Sequence, residues 1–277
     1  MRIVAFVFSM LPLFAGPAIS ATKSDLDWTR QFDQAVKRAR ETGRPLLIEF
    51  WASWCDPCKR MDRESWPDAR VVELSRKYVC VSVDIDRDTG TASRFLINGV
   101  PTIVLADPWA EPMIRHEGYL HARDLAGIME QLPADFSEAR EAREILAHDR
   151  KNAAALARMG RFFSNAQAPQ LAIQYYGDAL KTKEYKSDVA LRCQLSLAIG
   201  LDYVAAQNWD QARRSLERFL KDFPESPPQD QALCGLLIAN MKQGNRAEGE
   251  KLLSDLKRRF PLSHATEIAS RVLADAK

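Results

Sequence analysis

Between residues 28 and 132 apolar side chains gather in short, nearly unbroken runs, whereas beyond 133 they come singly, three or four positions apart. The first regime is that of strands covered on both faces and alternating with helices; the second is that of helices packed on helices. Trp28, Phe32, Ala35, Val36 and Ala39 recur at helical spacing, and Gly43 followed by Pro45 ends that helix. Residues 46–52 form a strand-length apolar run interrupted by Glu49, which places this strand centrally in a sheet. A helical stretch then runs from near Cys55 towards Lys77. Residues 79–85 read as a second buried strand, and a short helix follows around 92–97. Strands at 101–106 and 113–118 lie either side of Asp107-Pro108. Leu125, Ile128, Met129 and Leu132 mark an amphipathic closing helix, ended by Pro133. The order predicts an α/β sandwich of about a hundred residues, parallel first and antiparallel at its edge.

Beyond Pro133 strand signals vanish, and Ala, Leu, Arg, Glu and Gln dominate. Gly160, Phe163, Ala172, Tyr176 and Ala179 recur, with identical internal spacings, as Gly200, Tyr203, Ala212, Leu216 and Phe219, and Pro224 closes the second unit. A looser third unit has Gly249, Leu253, Leu256 and Pro261, with Phe260-Pro261 echoing Phe223-Pro224. This resembles the tetratricopeptide pattern, in which small residues let paired helices approach closely and a proline ends the second. The third unit is expected to lack the usual small residue at the start of its second helix, and a helix around 137–148 bridges to the first half. An unrelated helical bundle is the alternative. Either way the chain divides into an α/β domain, residues 22–133, and an all-helical domain, residues 134–277.

Residues 1–21 stand apart from both. Arg2 precedes an apolar stretch over 3–15, Gly16-Pro17 breaks it, and Ala18-Ile19-Ser20 supplies small residues, so a signal peptide cleaved near Ser20 or Ala21 is expected. An uncleaved anchor is the alternative, but the stretch falls short of the roughly 20 residues that span a bilayer. After cleavage no membrane insertion is expected. A periplasmic or otherwise exported location in a bacterial envelope follows, where cysteines tend to be paired or redox-active. Net charge is +2, too near neutral to argue for nucleic acid, and runs such as Lys257-Arg258-Arg259 read as a solvated helix face.

Five cysteines leave at least one thiol unpaired, and Cys80, inside the apolar run 78–83, is the expected one. Cys193 and Cys234 fall on the first helices of successive repeats, as small buried side chains or as a disulfide. Trp54-Cys55-Asp56-Pro57-Cys58 is the chemically informative stretch. Cysteines three apart at a helix start lie on one face, about 5–6 Å apart at Cβ, near disulfide range. The helix dipole and unpaired N–H groups stabilise a thiolate on the first, and Pro57 loses no hydrogen bond in the first turn. Cys55 is therefore expected to be the exposed nucleophile, and Cys58, one turn deeper, the resolving thiol. Half a zinc site or a structural disulfide are the alternatives. No second cysteine pair exists, His116, His121, His148 and His264 are scattered, and Lys59 stands where haem attachment needs histidine. No metal or organic cofactor is expected. Asp84 and Asp86 read as the polar end of a strand.

The run 49–59 resembles the active-site stretch of thioredoxins; Val100-Pro101-Thr102 resembles that family's cis-proline loop, and Gly118 falls where it has a glycine in the last strand. The leading helix with Gly43-Arg44-Pro45 is closer to the thiol domain of DsbD-type interchange proteins. The resemblance spans roughly residues 25–132. It implies a thioredoxin-like fold and a thiol–disulfide oxidoreductase with Cys55 and Cys58 as the reacting pair. It further implies that Glu49 is a buried acid beneath Cys58 and its proton acceptor, though a glutamate whose head reaches water is the alternative. Pro101, if cis, presents the backbone at Val100 to a substrate, and Trp54 shapes the surface around Cys55 or simply packs. Asp56 is a departure from the family: an acidic neighbour disfavours a thiolate at Cys55, which with Pro57 points to a reductase rather than a strong oxidant. The implied partners are protein thiols and disulfides, a membrane thiol electron donor, and a protein held by the helical repeats. A repeat-based binding scaffold with an accessory thioredoxin-like domain, or a disulfide oxidase or isomerase, are the rival functions.

Overall fold

The computed structural model describes residues 23–275, so the expected signal peptide lies outside the described residues. The N-terminal half is a five-stranded sheet in the order β1-β3-β2-β4-β5, formed by β1 (Trp28–Thr29), β2 (Leu46–Trp51), β3 (Val79–Asp84), β4 (Thr102–Ala106) and β5 (Pro112–Glu117). β1 and β2 run parallel to β3, while β4 is antiparallel to both β2 and β5. The nearly continuous apolar run of β2 is thus the middle strand, with both faces covered. One core packs α1 (Phe32–Thr42) against it through Phe32, Ala35, Val36 and Ala39. The other collects Leu47, Met61, Trp66, Val71, Ile103 and Leu125 on the opposite face.

Three elements differ from the expectations. Trp28 does not open the first helix: it pairs in parallel with Cys80 as an edge strand, and α1 begins only at Phe32. Trp28 and Phe32 are spaced as helix neighbours, but the ladder with β3 claims the backbone at Trp28. The single helix expected from Cys55 to Lys77 is two, α2 (Asp56–Glu64) and α3 (Ala69–Ser75). Pro67 removes a donor between them, and the Asp68 carboxylate caps α3 by accepting from the N–H groups of Arg70 and Val71. The helix expected at 92–97 is α4 (Thr89–Arg94), started earlier because Asp88 caps the N–H of Thr91 at 2.9 Å. Helix α5 (Ala122–Met129) closes the layer over Leu125, Ala126 and Met129.

From residue 137 on, every element is a helix: α6 (Ser137–His148), α7 (Ala153–Asn165), α8 (Pro169–Leu180), α9 (Lys183–Ser187), α10 (Val189–Ala205), α11 (Trp209–Asp222), α12 (Gln229–Lys242), α13 (Arg246–Arg259) and α14 (His264–Asp275). The paired units are α7/α8, α10/α11 and α12/α13. The repeated glycine has a direct packing reason. A Cβ at Gly160 would lie 2.4 Å from the Tyr176 ring, and one at Gly200 would lie 2.5 Å from Leu216. Each glycine sits under the bulky residue of its own second helix. In the third unit the small residue at the second-helix start is present after all. Gly249 stands four positions after the cap Asn245, as Ala212 stands after Asn208. What is lost is the first-helix glycine, replaced by the fully buried Leu237.

The two halves touch through a polar staple. Asp107, fully buried at the end of β4, accepts from the N–H groups of Trp109 and Glu111 and from Arg143 Nη2 on α6 at 2.8 Å. The Arg143 guanidinium lies 4.8 Å from the Trp109 ring centre, and Trp109 packs on the core of α7 and α8. Among the described residues no helix is long and apolar enough to cross a membrane.

Candidate functional site

Strand β2 delivers Trp51 and Ala52 to the sheet's end, and Cys55 N–H bonds to the Ala52 carbonyl at 3.1 Å in the turn that starts α2. Cys55 is the N-cap of α2, and its Sγ accepts the Cys58 N–H at 3.1 Å. One of the four unsatisfied donors at this helix start thus points at the outer sulfur, where it stabilises a thiolate. Pro57 fills the first turn. Cys55 and Cys58 are joined as a disulfide, with Cα atoms 5.3 Å apart.

The expectation of an exposed Cys55 is corrected here. Both cysteines are only 2% exposed, packed with Ala52 and flanked by Trp51, Ile85 and Val100. Ile85 follows β3 and Val100 precedes β4, so two neighbouring loops close over the sulfurs. The large apolar side chain exposed at the site is Trp54, at 63%, whose indole N–H donates to Asp86 Oδ2 at 2.9 Å. Trp54 is therefore held on the surface and not packed into a core. The Val100–Pro101 peptide bond is cis. The Pro101 carbonyl accepts the N–H of Gly118, whose φ of +94° favours glycine, and the Thr102 hydroxyl donates to the Gly99 carbonyl at 2.7 Å. Asp56 points into solvent and pairs with Lys59 at 3.3 Å, which offsets part of its repulsion of a thiolate.

Glu49 does not reach water. It is fully buried and accepts from Trp66 Nε1 at 3.0 Å, from Ser82 Oγ at 3.1 Å, and from Lys23 Nζ at 3.0 and 2.8 Å. Lys23 also bonds to Asp62 at 2.5 Å. Burial pushes the Glu49 carboxyl above its ordinary value, with the Lys23 charge opposing. Burial alone would lower the Lys23 ammonium, but the charge of Glu49 and the bonds to both carboxylates hold it above the ordinary lysine value. Sequence reasoning missed Lys23, Asp62, Trp66 and Ser82. Asp62 was legible, lying one helical turn beyond Cys58, and Ser82 pairs in register with Glu49 across β2 and β3. Lys23 carries no local signal.

The remaining cysteines, Cys80, Cys193 and Cys234, are free and buried, so Cys193 and Cys234 form no disulfide. Burial pushes the Cys80 thiol up to about 12 and Cys234 to about 11, which makes them inert. No cluster of metal-binding side chains occurs among the described residues.

Residues 27–108 match a thioredoxin-like family and residues 195–226 a tetratricopeptide repeat. Among curated proteins, the thiol:disulfide interchange protein DsbD of Campylobacter jejuni (strain RM1221) is 27% identical over 113 residues, covering 39% of this chain and 20% of that protein. A thioredoxin of Rickettsia conorii is 36% identical over 69 residues, covering 25% of this chain and 64% of its own length. The solution structure of a thioredoxin from Thermus thermophilus covers 39% of this chain and 86% of its own, at 26% identity and a TM-score of 0.36. The chain spans about a fifth of the length of the DsbD relative. The N-terminal half is thioredoxin-like, its Cys55–Cys58 pair supports thiol–disulfide redox chemistry, and the C-terminal half contains a tetratricopeptide repeat.

Proposed function

We propose that this chain, a thioredoxin-like domain joined to helical repeats, is an exported thiol–disulfide reductase that receives electrons from a membrane thiol donor and passes them to disulfides of other proteins. The observation that carries the reading is the disulfide at the N-terminus of α2, with the Cys58 N–H on Cys55 Sγ and Val100 of the cis-proline loop against it. A helix start that stabilises negative charge on one sulfur makes that sulfur the attacking thiolate and the better leaving group. In the reduced protein Cys55 attacks a partner disulfide and forms a mixed disulfide; Cys58, with Glu49 taking its proton, then attacks Cys55 and releases the reduced partner. The cycle needs neither metal nor organic cofactor.

Direction rests on Asp56 and Pro57: an acid in the first turn disfavours the thiolate, and a less stable thiolate makes a more reducing couple. Export rests on the apolar N-terminal segment and on the likeness to interchange proteins of the DsbD type, which also supports a membrane donor. The repeats, which resemble arrays that bind proteins on their surfaces, hold the partner while its disulfide is exchanged.

Cys58→Ser should trap mixed disulfides through Cys55, visible on non-reducing gels and reversed by dithiothreitol, while the wild type reduces insulin. No trapped species together with no insulin reduction would refute the enzymatic reading and leave a scaffold. A Cys55–Cys58 potential near the about −120 mV of a strong oxidant would refute the reductase direction alone.

A further inference from the structure

Lys23 reaches the chemistry from outside the stretch that carries it. It lies ahead of residue 27, where the thioredoxin-like match begins, in a short 3-10 turn (Lys23–Asp25) that leads into β1. Its ammonium sits 2.8 Å from one Glu49 oxygen and 3.0 Å from the other, 2.5 Å from Asp62, and 5.8 Å from the ring centres of both Trp28 and Trp51. Asp62 is on α2 one turn beyond Cys58, so a single cation ties the buried acid of β2 to the helix that bears the resolving cysteine. Resting on the reading of Glu49 as proton acceptor, we propose that Lys23 is a positioning residue of the resolving step, holding Glu49 against α2 in its charged, proton-accepting form.

The physical need is specific. Without a cation a fully buried carboxylate keeps its proton to higher pH, and a protonated acid cannot accept another. The groups facing Glu49 are Lys23 from the N-terminal turn, Asp62 from α2, Ser82 from β3 and the Trp66 indole. Of these, Asp62 pushes towards protonation, and Ser82 and Trp66 donate without charge. Lys23 supplies the positive charge that opposes burial, and the Asp62 contact fixes where it sits. A cavity of about 550 Å³, lined by Lys23, Asp27, Trp28, Arg30, Trp51 and Asp62 among others, adjoins the pair and gives the proton a way out.

The Cys58 thiol proton passes to the Glu49 carboxylate, and the Cys58 sulfur pair forms the bond to Cys55 Sγ. The bond between Cys55 and the partner sulfur breaks, and its electron pair leaves on the partner as a thiolate. The Cys55–Cys58 dithiol is oxidised, the partner disulfide is reduced, and the proton held by Glu49 returns to solvent.

The test uses the full chain, reduced beforehand with dithiothreitol and desalted, mixed with an equimolar aromatic disulfide that releases a coloured thiolate. The first release reports attack by Cys55 and the second reports resolution by Cys58, each followed across pH. Lys23→Gln should move the midpoint of the second phase upward by about one pH unit or more and leave the first phase in place. Lys23→Arg should restore the wild-type midpoint. Glu49→Gln should slow the second phase, and adding Lys23→Gln to it should cause no further shift. If Lys23→Gln lowers stability but leaves the midpoint at the wild-type value while Glu49→Gln alters it, Lys23 is a structural strap and the inference falls. If Glu49→Gln leaves the second phase untouched, the proton-acceptor reading falls and takes the inference with it. The Lys23 side chain is 24% exposed, and a far-ultraviolet spectrum of every variant checks that it is folded.

Discussion

Glu49 and Asp107 in the α/β half and Asp202 in the helical half are all buried acids, yet they are satisfied to very different degrees. Glu49 has an ammonium, an indole and a hydroxyl; Asp107 has a guanidinium and two backbone N–H groups. Asp202, on α10, accepts one hydrogen bond, 2.7 Å from the Ser164 hydroxyl on α7, and its Oδ2 has no partner among the described residues. For Asp107 against Asp202 the reason lies in the architecture, whereas Glu49, inside β2, draws every donor from side chains. Strand ends and loops leave backbone donors to spare, as after β4, where two point at Asp107. Inside a helix every N–H is already committed to the carbonyl four residues back, so an acid buried between helices must find side-chain donors or go without.

Breaking the buried pair at the junction of the halves should show the largest effect. Arg143→Ala leaves Asp107 with only its two backbone donors and strips the cation from the Trp109 ring, at the junction of the halves. Loss of about 3 kcal/mol in urea unfolding is expected, from the cost of leaving one partner of a buried ion pair alone. The α/β and helical halves should also begin to unfold in separate steps. A change below about 1 kcal/mol with one coincident transition would show that apolar packing of Trp109, not the ion pair, joins the halves.

Asp202 gives the converse experiment. Burial pushes its carboxyl up from the ordinary 3.8 to about 6, with the hydrogen bond from Ser164 opposing. The folded state therefore holds this proton more tightly than the unfolded chain does. The stabilisation is fully present below about pH 4 and is lost as pH rises to about 6 and beyond. With 1.36 kcal/mol per unit, the loss amounts to about 2–3 kcal/mol. Measured as the difference between wild type and Asp202→Asn, which cancels the other carboxylates, relative stability should fall over that window and then stay flat. A difference independent of pH from 4 to 8 would mean that Asp202 is solvated or paired, and the contrast with Glu49 would vanish.

How far these features were legible depended on range. The sheet was readable because β2 and β3, covered on both faces, write continuous apolar runs; the two-residue β1 leaves no such trace, and Trp28 was absorbed into the spacing of α1. The breaks at Pro67 and Asp88 carried capping signals that the apolar periodicity overrode. At the site, Cys55, Cys58, Pro101 and Glu49 stood out by local motif. The occlusion of Cys55 did not, because it depends on Ile85 and Val100 brought in by β3 and β4. Lys23 was invisible for the same reason: twenty-six positions separate it from Glu49, and only the β1–β3 ladder brings its segment over the acid. In the repeats, the matching of Gly160 to Gly200 was plain, but the third unit's exchange of Gly for Leu237 required knowing where its helices begin.

The smallest effects should separate the two matched glycines. Adding a methyl group at either site creates a clash, but alanine also raises helix preference by about 1 kcal/mol over glycine. At Gly160 the new Cβ meets three ring carbons of the buried Tyr176, at 2.4, 2.5 and 2.8 Å, and a ring moves only as a rigid plane. At Gly200 it meets Cδ2 and Cγ of Leu216, at 2.5 and 2.9 Å, and a leucine can turn its methyl groups away, though into a fully packed core. Overpacking costs of about 1–3 kcal/mol then set a net loss of about 1–2 kcal/mol for Gly160→Ala and under about 1 kcal/mol for Gly200→Ala. Both should leave insulin reduction unchanged. Equal losses at the two sites, read from urea midpoints, would mean that backbone approach and not the facing side chain fixes glycine in this repeat.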